Sequence, residues 1–256
     1  MASVKANPKT KPKPAAKRTQ AKSIYSEAEI SEIFRRFSVQ RPEPSSELNY
    51  TNSFTLLVAV VLSAQATDIG VNKATDGLFK AADTPQKMSD LGEERIGQYI
   101  KTIGLWRNKA KNVLALSQAL VRDYGGEVPA DHAELVKLPG VGRKTANVVM
   151  NVAFGEPTLA VDTHIFRIGN RLKIAPGKTP DEVERKLIKI IPPQYAMHAH
   201  HWLILHGRYV CKARKPDCRL CVIADLCKAD DKTTSIPAPL VEWSSNGPPP
   251  SVSASA

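Results

Sequence analysis

Cysteine is missing from the first 210 residues and from the last 29 of this 256-residue chain; all four cysteines lie between Cys211 and Cys227. That distribution excludes a disulfide framework across the body, which is in any case larger than the small domains that need such staples. No apolar stretch is long enough to cross a bilayer, so a membrane partner is excluded as well. The first 22 residues hold no apolar run of the signal-segment kind, and nothing in the composition marks a secreted protein. Aromatic residues make up only 6% of the chain. Period-two alternation is scarce, and Gly/Asn hairpin turns between alternating runs are lacking, which argues against a β architecture. Acidic residues are absent from residues 1–22, where Lys5, Lys9, Lys11, Lys13, Lys17, Arg18 and Lys22 stand among prolines and alanines.

What is present is positive charge. The formal net charge is +11, and removing those seven basic residues leaves +4, so the remainder is itself mildly basic. A basic body with a basic arm fits a polyanion, most simply nucleic acid, although a lysine-rich arm can also be a plain solvated linker. Residues 1–24 and 233–256 carry too little apolar surface to offset the entropy of ordering them, and both are expected to be disordered. Between them the pattern is helical throughout. Ser26 and Glu29 are spaced as a capping box ahead of Ile30, Ile33, Phe34 and Phe37. Phe54 to Leu62 is a nearly all-apolar, buried helix, Thr84-Pro85 and Thr179-Pro180 are helix starts, and Gly125-Gly126 and Gly155 are helix stops. The fold class is all-α, and the size suits two modest domains.

The cysteines follow the pattern Cys211-x6-Cys218-x2-Cys221-x5-Cys227. Four thiolates complete either a zinc site or an iron–sulfur cluster, and the single short C-x2-C gap leans toward the cluster. Spacing alone leaves the metal open, with two disulfides as the bland alternative. The histidines of His198, His200, His201 and His206 crowd one helix without zinc-ligand spacing and are expected to be packing or surface residues.

A second motif is Leu138-Pro139-Gly140-Val141-Gly142-Arg143-Lys144-Thr145-Ala146, between a short helical run and an apolar-faced helix. Two glycines around one apolar residue turn the backbone sharply and present consecutive N–H groups at a helix start, an arrangement that binds phosphate without reading a base. This is a helix-hairpin-helix pattern, in which Arg143 adds charge. Lys144 then sits at the positive end of a helix dipole, which favours the neutral amine, the form able to attack an electrophilic carbon; holding a phosphate is its plainer role. Asp162 follows Leu159-Ala160-Val161 and opens the next helix. It can cap that helix and still offer one oxygen to a substrate.

These two segments, together with Leu62-Ser63-Ala64-Gln65-Ala66-Thr67-Asp68 and the cysteine run, resemble the endonuclease III family of helix-hairpin-helix DNA glycosylases. The resemblance runs from about residue 25 to residue 230, with the motifs in the family's order. It implies two helical domains flanking a DNA-binding groove: a six-helix barrel with the hairpin over 46–156, and an iron–sulfur domain from 25–45 and 157–232, with a 4Fe–4S cluster on Cys211, Cys218, Cys221 and Cys227. It implies a bifunctional glycosylase/AP lyase of base excision repair, acting on oxidised pyrimidines and abasic sites in double-stranded DNA, with Lys144 as nucleophile and Asp162 as its carboxylate partner. Gln65 and Leu105 match residues that fill the gap left by an extruded base; composition alone reads Leu105 as core and Gln65 as surface. Gly140, Val141, Gly142, Arg143 and Thr145, with Lys212, Arg214 and Lys215 in the first cysteine loop, are the expected DNA contacts, and Asp68 and His164 are candidates to line the groove. A monomer in a bacterial cytoplasm, associated with the nucleoid, is the matching expectation.

Two rivals stand beside this one. A monofunctional mispair glycosylase is disfavoured by Lys144, and a non-catalytic DNA-binding module by Lys144 and Asp162 together. The basic arm can be tested directly. Deleting residues 1–22 should flatten the dependence of log binding constant on log salt; an unchanged slope would mean that the arm touches no phosphate.

Overall fold

A computed structural model describes residues 24–250, and helices account for all of the regular structure among them. The basic arm expected over 1–24 therefore lies outside the described residues except for Ile24, as do residues 251–256. Ten α-helices follow in order: α1 (Glu27–Gln40), α2 (Ser53–Leu62), α3 (Asp68–Ala81), α4 (Pro85–Ile100), α5 (Trp106–Tyr124), α6 (His132–Lys137), α7 (Arg143–Phe154), α8 (Thr163–Arg171), α9 (Pro180–Ile190) and α10 (Ala196–Tyr209).

Local chemistry sets most of these boundaries. The Ser26–Glu29 capping box starts α1, with the Ser26 N–H donating to Glu29 Oε2 at 2.7 Å and the Glu29 N–H returning to Ser26 Oγ at 3.2 Å. Thr84 and Thr179 cap α4 and α9 ahead of prolines that need no backbone donor. Gly125 (φ 63°) and Gly155 (φ 69°) end α5 and α7 in left-handed conformations that a Cβ would resist. Gly92, at φ 78°, breaks α4 into two pieces.

Two apolar clusters follow from the burial pattern. One gathers buried residues from Leu48 to Met150 on α2 to α7, with α2 immersed from Phe54 to Leu62. The other joins the apolar face of α1 (Ile30, Ile33, Phe34, Phe37) to α8, α9, α10 and the cysteine region. The chain crosses between the clusters twice, through the connector after α1 and through the extended segment between α7 and α8.

One expectation needs correcting. The segment from 233 to 250 is not a free tail: Trp243 is 8% exposed and belongs to the second cluster. The apolar area of one indole, anchored by backbone hydrogen bonds, supplies what the Ser/Pro-rich composition around it does not.

Buried imidazoles on α10 give the fold a pH dependence. Burial pushes His200 well below its ordinary range and lowers His201 to about 4. Both are neutral in the fold, whereas the unfolded chain takes up protons near about pH 6.5, so their stabilisation is complete above that value. Between about pH 6.5 and about 4 the unfolded state binds more protons, and stability falls with pH at up to about 1.4 kcal/mol per unit for each group. Urea unfolding at pH 7.5 and pH 5 should show this loss, and His201→Leu should remove part of it.

Candidate active site

The hairpin is built by a conformation that its sequence requires. Gly140 stands at φ 76°, and a Cβ there would come within 2.9 Å of the Asn112 side chain. Val141 is buried, 6% exposed, and its N–H donates to the Leu138 carbonyl at 3.1 Å, which closes the turn from within. Gly142 caps α7 without a side chain, which leaves the N–H groups of the first turn open to an external acceptor. Lys144 is the second residue of α7 and is exposed.

Asp162 is the N-cap of α8. Its Oδ1 accepts the Ile165 N–H at 2.8 Å, and Oδ2 remains for other work. Lys144 and Asp162 line the same cleft, which encloses about 1410 Å³ including its open mouth. The segment leading to Asp162 is stitched to the helix that carries Lys144. Asn147 Nδ2 donates to the Leu159 carbonyl at 2.9 Å, and Thr158 Oγ1 donates to the Asn147 carbonyl at 2.5 Å. From the other side, the Ala160 N–H reaches His200 Nδ1 on α10 at 3.4 Å.

Asp68, His164, Gln65 and Thr145 line this cleft too. Asp68 is engaged rather than free: Arg208 donates to its Oδ2 at 2.6 Å and also binds Glu47, which accepts from Tyr209 as well. His164, whose pKa is lowered by burial, has its Nδ1 at 3.2 Å from Arg167 Nη2. Sequence reasoning missed Glu47, Arg208 and Asn147. It also set His200 and His201 aside as packing or surface residues, yet both form part of the cleft wall. No spacing rule links these positions, which meet through tertiary packing of α7, α10 and the connector.

Gln65 and Leu105 stand outside regular structure in a way that polar patterning does not anticipate. Both are non-glycine residues in left-handed conformations, at φ 55° and φ 59°. Leu105 is 58% exposed, contrary to a core assignment from composition. Their loops abut, since a Cβ on Gly104 would lie 4.0 Å from the Gln65 carbonyl oxygen.

The cysteine region forms a separate site. Cys211, Cys218, Cys221 and Cys227 are free thiols lining one cavity beside Arg171 and His206. Burial raises the thiols of Cys211 and Cys227 and pushes Cys221 up to about 12, so thiolates there require a cationic centre beside them. Among the described residues no three His, Cys, Asp or Glu side chains close on a single metal ion. Lys212, Arg214 and Lys215 are exposed on the first cysteine loop. The loop backbone is held from α8: Arg171 donates to the carbonyls of Lys212 at 2.5 Å and Ala213 at 2.7 Å, and Arg167 Nε donates to the Cys211 carbonyl at 3.2 Å.

Arg143 has partners inside the protein. Its Nη2 lies 2.5 Å from Glu184 Oε1 and its Nη1 lies 3.2 Å from Asp181 Oδ1, pinning the hairpin to α9. Burial raises the pKa of Glu184, and the guanidinium opposes that shift. Arg143→Ala should therefore cost about 1–3 kcal/mol, because a buried carboxylate loses its partner. Adding Glu184→Gln should recover most of it; denaturant unfolding of the single and double variants checks both.

Comparison with known proteins fits this geometry. The model of the HhH-GPD superfamily base excision DNA repair proteins matches residues 58–193. The chain is 59% identical over 198 residues to endonuclease III of Rickettsia conorii, covering 77% of this chain and 94% of that protein. It is 55% identical over 201 residues to endonuclease III of Escherichia coli K12, covering 78% and 95%. Among solved structures, a trapped endonuclease III–DNA covalent intermediate aligns with a TM-score of 0.74 at 46% identity, covering 80% of this chain and 97% of that one. A non-covalent endonuclease III–DNA complex aligns with a TM-score of 0.74 at 45% identity, covering 80% and 96%.

Proposed function

The chain belongs to the HhH-GPD superfamily of base excision DNA repair proteins, and we propose that Lys144 and Asp162 are the residues with which it excises damaged pyrimidines and cleaves abasic sites. It is a bifunctional DNA glycosylase and AP lyase whose partner is duplex DNA. The observation that carries the residue assignment is the shared cleft: an exposed lysine at a helix start and a half-buried aspartate cap line one opening, and Asn147 ties their two segments together.

The chemistry follows from those two groups. A base inside the stack is out of reach, so the nucleotide must be extruded, at least cost when the base is already damaged. The unprotonated Lys144 amine attacks the sugar C1′ as the base departs with its bonding electrons. Asp162, with Oδ1 held by the Ile165 N–H, stabilises the positive charge that develops on the sugar and receives a proton from the attacking amine. The nitrogen lone pair then expels O4′, which takes up a proton as the sugar ring opens, and this leaves a protonated Schiff base between Nζ and C1′. The imine acidifies the C2′ proton; its removal expels the 3′ phosphate oxygen by β-elimination, and hydrolysis frees the lysine.

DNA contacts are assigned by the same geometry. The open N–H groups after Gly142 take a phosphate, with Gly140, Val141 and Thr145 shaping the turn and Arg143 bracing it. Leu105 wedges into the stack and Gln65 meets the orphaned base. Lys212, Arg214 and Lys215 contact the backbone from the cysteine loop. We assign a 4Fe–4S cluster to Cys211, Cys218, Cys221 and Cys227, because four free thiols line one cavity without closing on a single ion. When bound, the cluster supplies the cationic centre that holds these thiolates and fixes the loop between Cys211 and Cys218. The two apolar clusters support a barrel domain over 46–156 and a cluster domain from 25–45 and 157–232, with Trp243 joining the second cluster from beyond residue 232. We place the protein as a monomer in the cytoplasm, at the nucleoid where duplex substrate lies; no described helix is long and apolar enough to cross a membrane.

Borohydride should trap the wild-type protein on an abasic duplex as a covalent adduct. Lys144→Ala should abolish the adduct while binding to the same duplex persists. Asp162→Asn should keep the cap but slow adduct formation by about 10²-fold or more. Full trapping by Lys144→Ala would remove this lysine from the mechanism.

A further inference from the structure

The chain beyond the cysteine run returns to the first connector. The Trp243 N–H donates to the Gln40 carbonyl at 2.7 Å, and the Ser45 N–H donates to the Ser245 carbonyl at 3.0 Å. Asn246 Nδ2 donates to the Ser46 carbonyl at 3.1 Å. Arg41 is only 4% exposed; its guanidinium stands 5.2 Å over the Trp243 ring and donates to the carbonyls of Ser244 and, at 2.9 Å, Gly247. The Arg41 carbonyl in turn accepts Trp202 Nε1–H from α10 at 2.8 Å. Five residues of the C-terminal segment thus satisfy a buried cation and pair with the backbone of residues 40–46.

Those connector residues are not remote from the chemistry. Ser45, Ser46 and Glu47 line the cleft that holds Lys144 and Asp162, and Glu47 joins Arg208 and Tyr209 of α10 and, through Arg208, Asp68 of α3. A buried guanidinium stripped of its carbonyl partners is costly, so the connector cannot keep this path if the segment lifts away.

We propose that residues 243–247 are a positioning strap for the active site, fixing the connector and, through Glu47 and Arg208, part of the wall of the cleft that Lys144 also lines. Trp243 and Asn246 are positioning residues here, since neither lines the cleft. The inference rests on the Lys144 chemistry proposed above and extends it to a part of the chain that lies beyond the motifs carrying that chemistry.

The test uses the full chain with its cluster loaded. Schiff-base formation on saturating abasic duplex is timed in single turnover, well below the unfolding temperature, by borohydride quench. Trp243→Ala should slow the step about tenfold, as expected when a catalytic wall shifts by a fraction of an ångström, with duplex affinity unchanged. Trp243→Phe keeps a ring beneath Arg41 and should restore the rate. Asn246→Ala removes one exposed contact, leaves the buried indole in place, and should slow the step to a smaller degree. Unchanged rates in Trp243→Ala and Asn246→Ala, with only a lowered unfolding temperature, would make the strap a stabilising clamp and overturn the proposal alone. A wild-type protein that forms no adduct would overturn the Lys144 assignment and the strap with it.

Discussion

The bond from Asn147 Nδ2 to the Leu159 carbonyl is the constraint on which the site depends. Asn147 lies on α7 three residues after Lys144, and Leu159 lies three residues before Asp162. Lys144 belongs to a helix of the first apolar cluster, and Asp162 opens a helix of the second, so their approach requires that the clusters be joined where the chain crosses between them. Asn147 is 6% exposed, and an amide buried to that extent must find its partners within the protein. Its polarity thus serves geometry: an apolar residue there would lose this bond and leave the segment to the ties from Thr158 and His200 alone.

α8 extends that constraint to the cysteine region. Its N-terminus is capped by Asp162, and its later turns carry Arg167 and Arg171, which donate to the carbonyls of Cys211, Lys212 and Ala213. One helix of nine residues therefore holds the carboxylate proposed for catalysis at one end and a basic loop at the other. Gly207 lets α10 lie against it so closely that a Cβ would fall 2.9 Å from that of His164. Such close packing transmits displacement rather than absorbing it, because a core at this density has no slack. In the proposed function, a duplex held by the basic loop is thereby referred to the same helix that Asp162 caps.

What was legible in the sequence was whatever chemistry writes locally. The capping box at Ser26, the prolines after Thr84 and Thr179, and the glycine stops at 125 and 155 each act within one turn of helix, so single residues announce them. The hairpin and cysteine spacings are equally local. Leu105 is the counterexample: an apolar residue beside Trp106 carries no local sign that it points to solvent, and only the family resemblance gave it a role. Arg143 carried a basic charge at a helix start and no sign that Glu184, 41 residues on, would claim it. Likewise the Ser/Pro-rich end concealed Trp243, whose partner Arg41 lies 202 residues earlier in the numbering. Long-range pairing depends on where helices pack, and composition averages it away.

The strained loops complete the argument about function. Gln65 and Leu105 hold left-handed backbones at a cost of about 1–3 kcal/mol each, and Leu105 exposes an apolar side chain to water besides. In the free protein the two loops approach each other at Gly104, where a Cβ would lie 4.0 Å from the Gln65 carbonyl oxygen. In the proposed function both costs are offset by a duplex with one nucleotide swung out, which offers an apolar gap between base pairs and an unpaired base edge. An intact duplex offers neither. On that proposal the conformations that look unfavourable in isolation favour the distorted DNA over the intact form, and Gln65 does so from the wall of the cleft that Lys144 also lines.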